Sequence, residues 1–509
     1  MYLTSLPDEV LKLVMQHAPL KDRLTSCCLV NKKLHAAAVA ATDQLAVFLA
    51  DNWPVPWEDK EIRPSSVHDW KTVSDDILRL SSPLHTHSML PWLSLYGQHV
   101  TSLDMLGIPP WGREWQQLPC PNLLQLCVDE CNVQLGPAED GTPGVIPGCT
   151  KLTRLDLSCT IIDFPAGGVV DSLSSLVHLQ HLIVSPQMYP YGANVSPYAI
   201  GGVCTATLPR LQQLTHITIS GFSADNLLQL GALTNLKVLE FEVYGDVIVS
   251  PSSLPGLVFP ASLIGLGIAS PVEAGVLSVV PTGLQSLLLD LVVQGPAEGP
   301  GSLLCGLGRL QHLTRLVLRS PAGLEWPVPG PVYSALATSS NLQDLSLCNT
   351  RPPAGVWKYV FPAARMLPHL ICLSIADARD AADGSSPPSA WDAADVACVV
   401  SCCPNLRMIS SVNLQHGRHV SALQQLTALT HLGLIYGSSS LDDIKGSLEG
   451  LAAVTQLKRL QVSVRNEQLP MAALLPLTSL TALTHFKGLI QPHPLWFESS
   501  QVSSLAVSA

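Results

Sequence analysis

Charge is scarce in this sequence: Asp, Glu, Lys and Arg make up 13% of its 509 residues, and 28 basic against 39 acidic side chains leave a formal net charge of −11. So few cations in a chain that is negative overall do not suit a phosphate-binding surface, and nucleic acid is not expected as a partner. Long apolar runs are missing too. Mean hydropathy is +0.30, yet the richest stretch, Ala36 to Ala50, is broken by Asp43 and Gln44 and is shorter than the roughly 20 residues a bilayer requires. No membrane association is therefore expected. The opening Met1 to Glu9 lacks a basic region, an apolar core and a small-residue cleavage site, so the chain is expected in the cytoplasm or nucleus and not secreted. Its 14 cysteines are scattered, with adjacent pairs at Cys27/Cys28 and Cys402/Cys403, a poor basis for a disulfide framework and a good one for small apolar residues in a reducing compartment.

Catalytic motifs are absent. The sequence has no P-loop, no Gly-rich dinucleotide turn opening a helix, no His-Glu-x-x-His and no Ser elbow between glycines. Cys127 and Cys131 stand four apart and His178 and His181 three apart, but neither pair has a second pair at zinc-ligand spacing. No enzyme, cofactor or metal site is expected.

What the chain has is a repeat. Lys151-Leu152-Thr153-Arg154-Leu155-Asp156-Leu157 sets a frame of Leu, two residues, Leu, one residue, Leu that returns at Leu236/Leu239/Phe241, Leu313/Leu316/Leu318, Leu342/Leu345/Leu347 and Leu429/Leu432/Leu434, among others. First positions fall at Leu123, Leu152, Leu179, Leu214, Leu236, Leu263, Leu284, Leu313, Leu342, Leu370, Leu406, Leu429, Leu457 and Leu480, mostly 21 to 29 residues apart. Each unit predicts a short strand with alternate residues turned inward and a return segment forming the other wall, and no unit can bury its apolar face without a neighbour. This pattern resembles the leucine-rich repeats over roughly four fifths of the chain. The resemblance implies an α/β fold, a leucine-rich-repeat solenoid over residues 100–490 in which a curved horseshoe carries a parallel sheet on its concave face. The family's Asn or Cys after the strand is mostly replaced, by Phe222, Tyr244, Pro271, Val292 and Pro321 among others, so irregular turns are expected. Two long intervals imply inserted loops at Ser185 to Thr207 and Ala376 to Asp395, whose aromatics (Tyr189, Tyr191, Tyr198, Trp391) are candidate binding elements.

Residues 1–45 do not repeat. Leu6, Val10, Leu13/Val14, then Leu20, Leu24, Cys27/Cys28, then Val30, Leu34 and Ala38 follow helical spacing, predicting a small N-terminal three-helix module. Leu6-Pro7-Asp8-Glu9-Val10-Leu11, Leu20-Lys21-Asp22-Arg23-Leu24 and Cys28-Leu29-Val30-Asn31-Lys32-Lys33-Leu34 resemble the F-box, with Met15 and Leu34 where the family commonly has Phe and Trp. The resemblance implies docking on a Skp-type adaptor, and through it a cullin, by Leu6, Pro7, Leu11, Leu20, Leu24, Val30 and Lys32. From the helical pattern alone, a cap on the first repeat is the competing reading. Residues 46–99 are expected to be a linker and N-terminal cap, with Val67, Trp70, Val73, Ile77 and Leu80 on an amphipathic helix, and 491–509 a C-terminal cap or tail.

Strand alternation places the residues between the leucines on the concave face. Asp129, Arg154, Asp156, His181, His216, Glu240, Glu242, Arg315 and Arg319 are the expected target contacts, acidic early and basic later. The function expected is a non-catalytic substrate receptor of a cullin-RING ubiquitin ligase that holds an unidentified target protein. The alternative is a repeat scaffold on cytoskeleton or axoneme with no ubiquitin role.

Overall fold

A computed structural model describes Leu11 and residues 44–49, 77–80, 93–95, 97–106, 118–129, 132–134, 148–158, 161–163, 173, 175–185, 208–222, 227–243, 248–251, 256–291, 300–325, 330–351, 353, 355–363, 365–375, 391–412, 414, 417–436, 441–464, 471–490 and 493–498. The three expected N-terminal helices, except Leu11, lie outside the described residues, as do Trp53, Trp57, Trp70 and nearly all of the two insertions.

The repeat frame builds each strand locally. Its first Leu closes a turn, the N–H of Leu152, Leu179 and Leu429 donating to the carbonyls of Cys149, Leu176 and Leu426 at 2.9–3.0 Å. The next two N–H groups, of Thr153 and Arg154, then donate to one carbonyl of the preceding repeat, that of Leu124, at 2.8 and 3.0 Å. Thr430 and His431 repeat the arrangement on Arg407 at 2.9 and 3.0 Å. Strands that carry this arrangement are thus pinned to their neighbours at their first residue, and the leucines stack in register. Leu155 and Leu157 are both fully buried, and a buried Leu stabilises by about 1.5–3 kcal/mol.

The chain divides into two units, residues 1–245 and 246–509. The first holds β1 (Gln44–Leu49), β2 (Ile77–Leu80), β3 (Ser102–Leu106), β4 (Gln125–Asp129), β5 (Asn132–Gln134), β6 (Arg154–Ser158), β7 (Ile161–Asp163), β8 (His181–Ser185), β9 (His216–Phe222) and β10 (Val238–Val243). Its main sheet runs β2-β1-β3-β4-β6-β8-β9-β10, parallel throughout, while β5 and β7 form a separate pair. Two expectations change here. Ile77 and Leu80 belong to β2, not to an amphipathic helix: Ile77-Leu78-Arg79-Leu80 pairs its backbone with β1, and sheet pairing overrides a three-residue spacing that a short apolar run satisfies equally well. Parallel pairing also begins at Gln44, upstream of the expected start near Val100.

The second unit holds β11 (Gly265–Val272), β12 (Ser286–Leu291), β13 (Arg315–Glu325), β14 (Asp344–Arg351), β15 (Cys372–Ser374), β16 (Met408–Val412), β17 (His431–Tyr436), β18 (Arg459–Val464), β19 (His485–Ile490) and β20 (His493–Glu498). β11 to β19 pair in chain order and in parallel, and β20 turns back antiparallel on β19, covering its edge. Leu266, Leu287, Leu316, Leu345, Leu373, Ile409, Leu432, Leu460 and Phe486 form one continuous ladder. That register corrects the last frame: Phe486 stands opposite Leu460, so the frame starts at Leu483, and Leu480 belongs to the turn before it.

Return segments are short 3-10 turns, such as Ala274–Ser278, and the helices α1 (Pro300–Leu307), α2 (Trp357–Val360), α3 (Ala393–Cys402), α4 (Gly417–Ala422) and α5 (Leu441–Leu451). α1 lies so close to the Ala274–Ser278 turn that a Cβ on Gly306 would sit 2.8 Å from that of Leu277. Register shifts fall within β10, β11, β13 and β16, marking local irregularities in the pairing.

The end of the second insertion is core rather than loop. Trp391 is 3% exposed and packs at 5.2 Å on Trp357. Asp392 caps α3, its Oδ1 accepting from Asp395 N at 2.8 Å, while Oδ2 of the buried Asp395 accepts from Asp392 N at 3.2 Å. Trp391 is therefore no surface binding element.

Candidate functional site

Among the described residues, the face that could recognise something is the polar side of the sheet, where positions between the leucines align in rows. In the first unit one row at the strand starts is Gln125, Arg154, His181, His216 and Val238. The next is Cys127, Asp156, Ile183, Thr218 and Glu240, and Glu242 lies beyond, opposite Ser220. Arg154, His181 and His216 are thus brought together, with Glu240 and Glu242 on the far strand, both exposed. Asp129 ends β4, opposite Leu106 of β3.

Asp156 departs from expectation. It is 8% exposed, with Oδ1 accepting from Ser158 N at 3.2 Å and Ser158 Oγ at 2.6 Å, and Oδ2 meeting Arg154 at 3.5 Å. Its carboxylate is used within the strand, so it orients Arg154 rather than offering a free charge. Within the first unit basic groups line the strand starts and Glu240 and Glu242 lie further along the strand. In the second, Arg315 already pairs with Asp344 at 3.3 Å, while Arg319, opposite Cys348, is exposed.

The rings of His181 and His216 stack at 4.2 Å and 15°. Burial, each other's company and Arg154 hold the His181 pKa below the ordinary imidazole value, and burial, Lys237 and Arg154 do the same for His216. Thr215 Oγ1 donates to the carbonyl of Gln180 at 3.1 Å, so it accepts from Nδ1 of His216 at 2.8 Å, leaving Nε2 as the free ring nitrogen. The same pairing recurs at Thr430/His431 and Thr484/His485.

Sequence reasoning missed the basic group on β16 to β19: Arg407, Lys458, His485 and Lys487, beside His431 and Arg459. The signal was present as Thr-His and Lys-Arg pairs directly after the first Leu of a frame. Taking Leu480 as that Leu moved His485 and Lys487 off the face.

Of the expected adaptor contacts, Leu6, Pro7, Leu20, Leu24, Val30 and Lys32 lie outside the described residues. Leu11 is fully buried, which makes it a packing residue rather than a surface contact. Burial pushes the thiols of Cys120 and Cys149 up to about 12 and about 11, fitting inert packing groups and not nucleophiles. Among the described residues no group of three His, Cys, Asp or Glu could hold a metal, and no helix is long and apolar enough to cross a membrane.

A parallel ladder of leucine frames with short returns defines a leucine-rich-repeat solenoid. Residues 3–39 match the F-box domain family. The chain thus places a segment similar to the F-box ahead of leucine-rich repeats. Among solved structures, it is similar to the Leptospira interrogans LRR protein LIC12759, with 14% identity, a TM-score of 0.42 and coverage of 82% of this chain and 96% of that one. It is also similar to TLR13 in its complex with ssRNA13, with 14% identity, a TM-score of 0.39 and coverage of 80% and 60%. No curated protein matches it.

Proposed function

We propose that this chain is a non-catalytic substrate receptor of an SCF-type cullin-RING ubiquitin ligase. The observation that carries the reading is the F-box match at residues 3–39 ahead of a repeat sheet whose polar side offers exposed Glu240, Glu242, Arg315 and Arg319. In this reading Leu6, Pro7, Leu20, Leu24, Val30 and Lys32 hold a Skp-type adaptor, with Leu11 keeping the module folded, and the adaptor brings the cullin. Arg154, His181, His216, Glu240, Glu242, Arg315, Arg319 and Asp129 hold the target protein, with Asp156 positioning Arg154. Catalysis is proximity: a target lysine held near a charged ubiquitin carrier gains effective concentration, and the receptor supplies position only.

The test is capture of a purified Skp-type adaptor by the full chain. Pro7→Ser with Lys32→Glu should abolish capture while the thermal melt of the repeats is unchanged. Undiminished capture by that variant rejects the ligase reading. Leu11→Ser serves a different purpose, reporting loss of the module's packing.

A further inference from the structure

The strand starts of β16 to β19 carry cations with no acid among them. In register, Met408, His431, Arg459 and His485 stand side by side on four adjacent strands, a strip about 14 Å long at the usual strand spacing. Arg407 and Lys458 directly precede two of these strands, and Lys487 lies two residues along from His485 on the same side. Arg407, Lys458, Arg459 and His485 are exposed. Their backbone is fixed: the Arg407 carbonyl accepts from Thr430 and His431, and the Lys458 carbonyl from Thr484 and His485.

The contrast with the other basic residues of the face is what gives this strip meaning. Arg154 meets Asp156, and Arg315 meets Asp344. Arg407, Lys458 and Arg459 have no carboxylate within ion-pair distance among the described residues, and β16 to β19 contain no Asp or Glu. The nearest acid in register is Glu498 of β20, opposite His485 at the edge. The charge accumulation is felt within the strip, since burial and then Arg459, His485 and Lys458 lower the His431 pKa. At one border the exposed Ile371 (38%) and Met408 (37%) add an apolar surface.

We propose that this strip is the docking site for a short acidic segment of a target polypeptide, extended across the strand starts with an apolar residue over Ile371 and Met408. The inference rests on the receptor reading and names the chemistry of its target. The length of the strip matches about four extended residues. A long polyanion is disfavoured because the chain as a whole carries −11, whereas a short acidic segment meets only the local cations.

The experiment is fluorescence anisotropy with the full chain and a labelled short Glu-rich peptide carrying one Leu, against its Gln twin, a single-stranded RNA oligonucleotide and phosphatidylserine vesicles. The Glu peptide should bind at least about tenfold more tightly than the Gln twin, weaken as salt rises, and lose about tenfold with Lys458→Gln and Arg459→Gln together. Arg459→Lys should retain much of the binding, and Lys445→Gln, on α5, all of it. Equal binding of the two peptides, or an unaffected double variant, overturns the proposal. RNA or vesicles displacing the peptide overturns the polypeptide assignment. Adaptor capture is measured on the same variants: its failure with peptide binding intact rejects the ligase reading alone, and the reverse rejects the strip alone.

Discussion

Replacing Asp395 by Ala should destabilise the second unit by about 2–4 kcal/mol. This carboxylate is fully buried and accepts three backbone bonds: Gly355 N at 3.1 Å, Trp357 N at 3.2 Å and Asp392 N at 3.2 Å. Removing it orphans three donors. The Trp357 amide is buried and takes the full penalty, about 1–3 kcal/mol, while Gly355 and the exposed Asp392 are within reach of water and add less. The Asp392 N–H bond is the half of the α3 capping box that Asp395 supplies and is already counted, since Asp392 Oδ1 still accepts from the residue 395 amide, and relief of the desolvated carboxylate offsets part of the total. Hydrogen exchange resolved to residues 353–362 is the assay, because it reads the affected amides directly. A loss of this size should speed exchange there about 30- to 1,000-fold where opening limits it. Burial raises the Asp395 pKa against the pull of its three N–H donors. The native state therefore holds this proton more tightly than the unfolded chain, and the stability so contributed is complete below the unfolded carboxylate value, about 3.9, and lost as pH rises through the folded value. Asp395→Asn should flatten that dependence. Exchange at Trp357 indistinguishable between wild type and Asp395→Ala would refute the reasoning.

Leu345→Ala, at a position with 0% exposure in the core ladder, should cost about 2–5 kcal/mol by denaturant unfolding, whereas Ser346→Ala, one residue on, should stay within about 0.5 kcal/mol; equal effects would mean the strand phase is wrong. His181 and His216 should titrate by NMR below about 6.5, and His216→Gln should raise the His181 value. With depressed folded pKa values, their contribution is present above the unfolded value and lost as pH falls through the folded one, so the first unit should weaken on mild acidification. Gly306→Val should destabilise by about 1–3 kcal/mol, since α1 must move off Leu277, while the same change at Gly446, where a Cβ has open space, should cost less.

Much of the fold was legible because repetition restates it. A single Leu frame is ambiguous, but thirteen of its expected first positions, from Leu123 to Leu457, lead into paired strands, and Leu155, Leu345 and Leu432 are buried as the alternation requires. Reading failed where the repetition thins. Ile77 to Leu80 is too short for its spacing to separate helix from strand, and near Leu480 two apolar residues three apart, Leu480 and Leu483, both fit the frame, with only the pairing of Phe486 to Leu460 choosing between them. The candidate site was legible to the extent that Arg154, His181 and His216 could be listed from the frame. That Asp156 is spent on Ser158 and Arg154 could not, because hydrogen bonding along a strand leaves no periodic trace.

By itself, then, the sequence determined the solenoid and the face on which the polar residues between the leucines stand, since both follow from the local spacing of apolar side chains. Tertiary structure decided which charges are free. Arg315 has Asp344 of the neighbouring strand beside it at 3.3 Å, whereas Arg407, Lys458 and Arg459 meet no carboxylate among the described residues. Both outcomes depend on register between strands more than 20 residues apart in the chain, where Coulomb interaction acts through space and the sequence order carries no record of it.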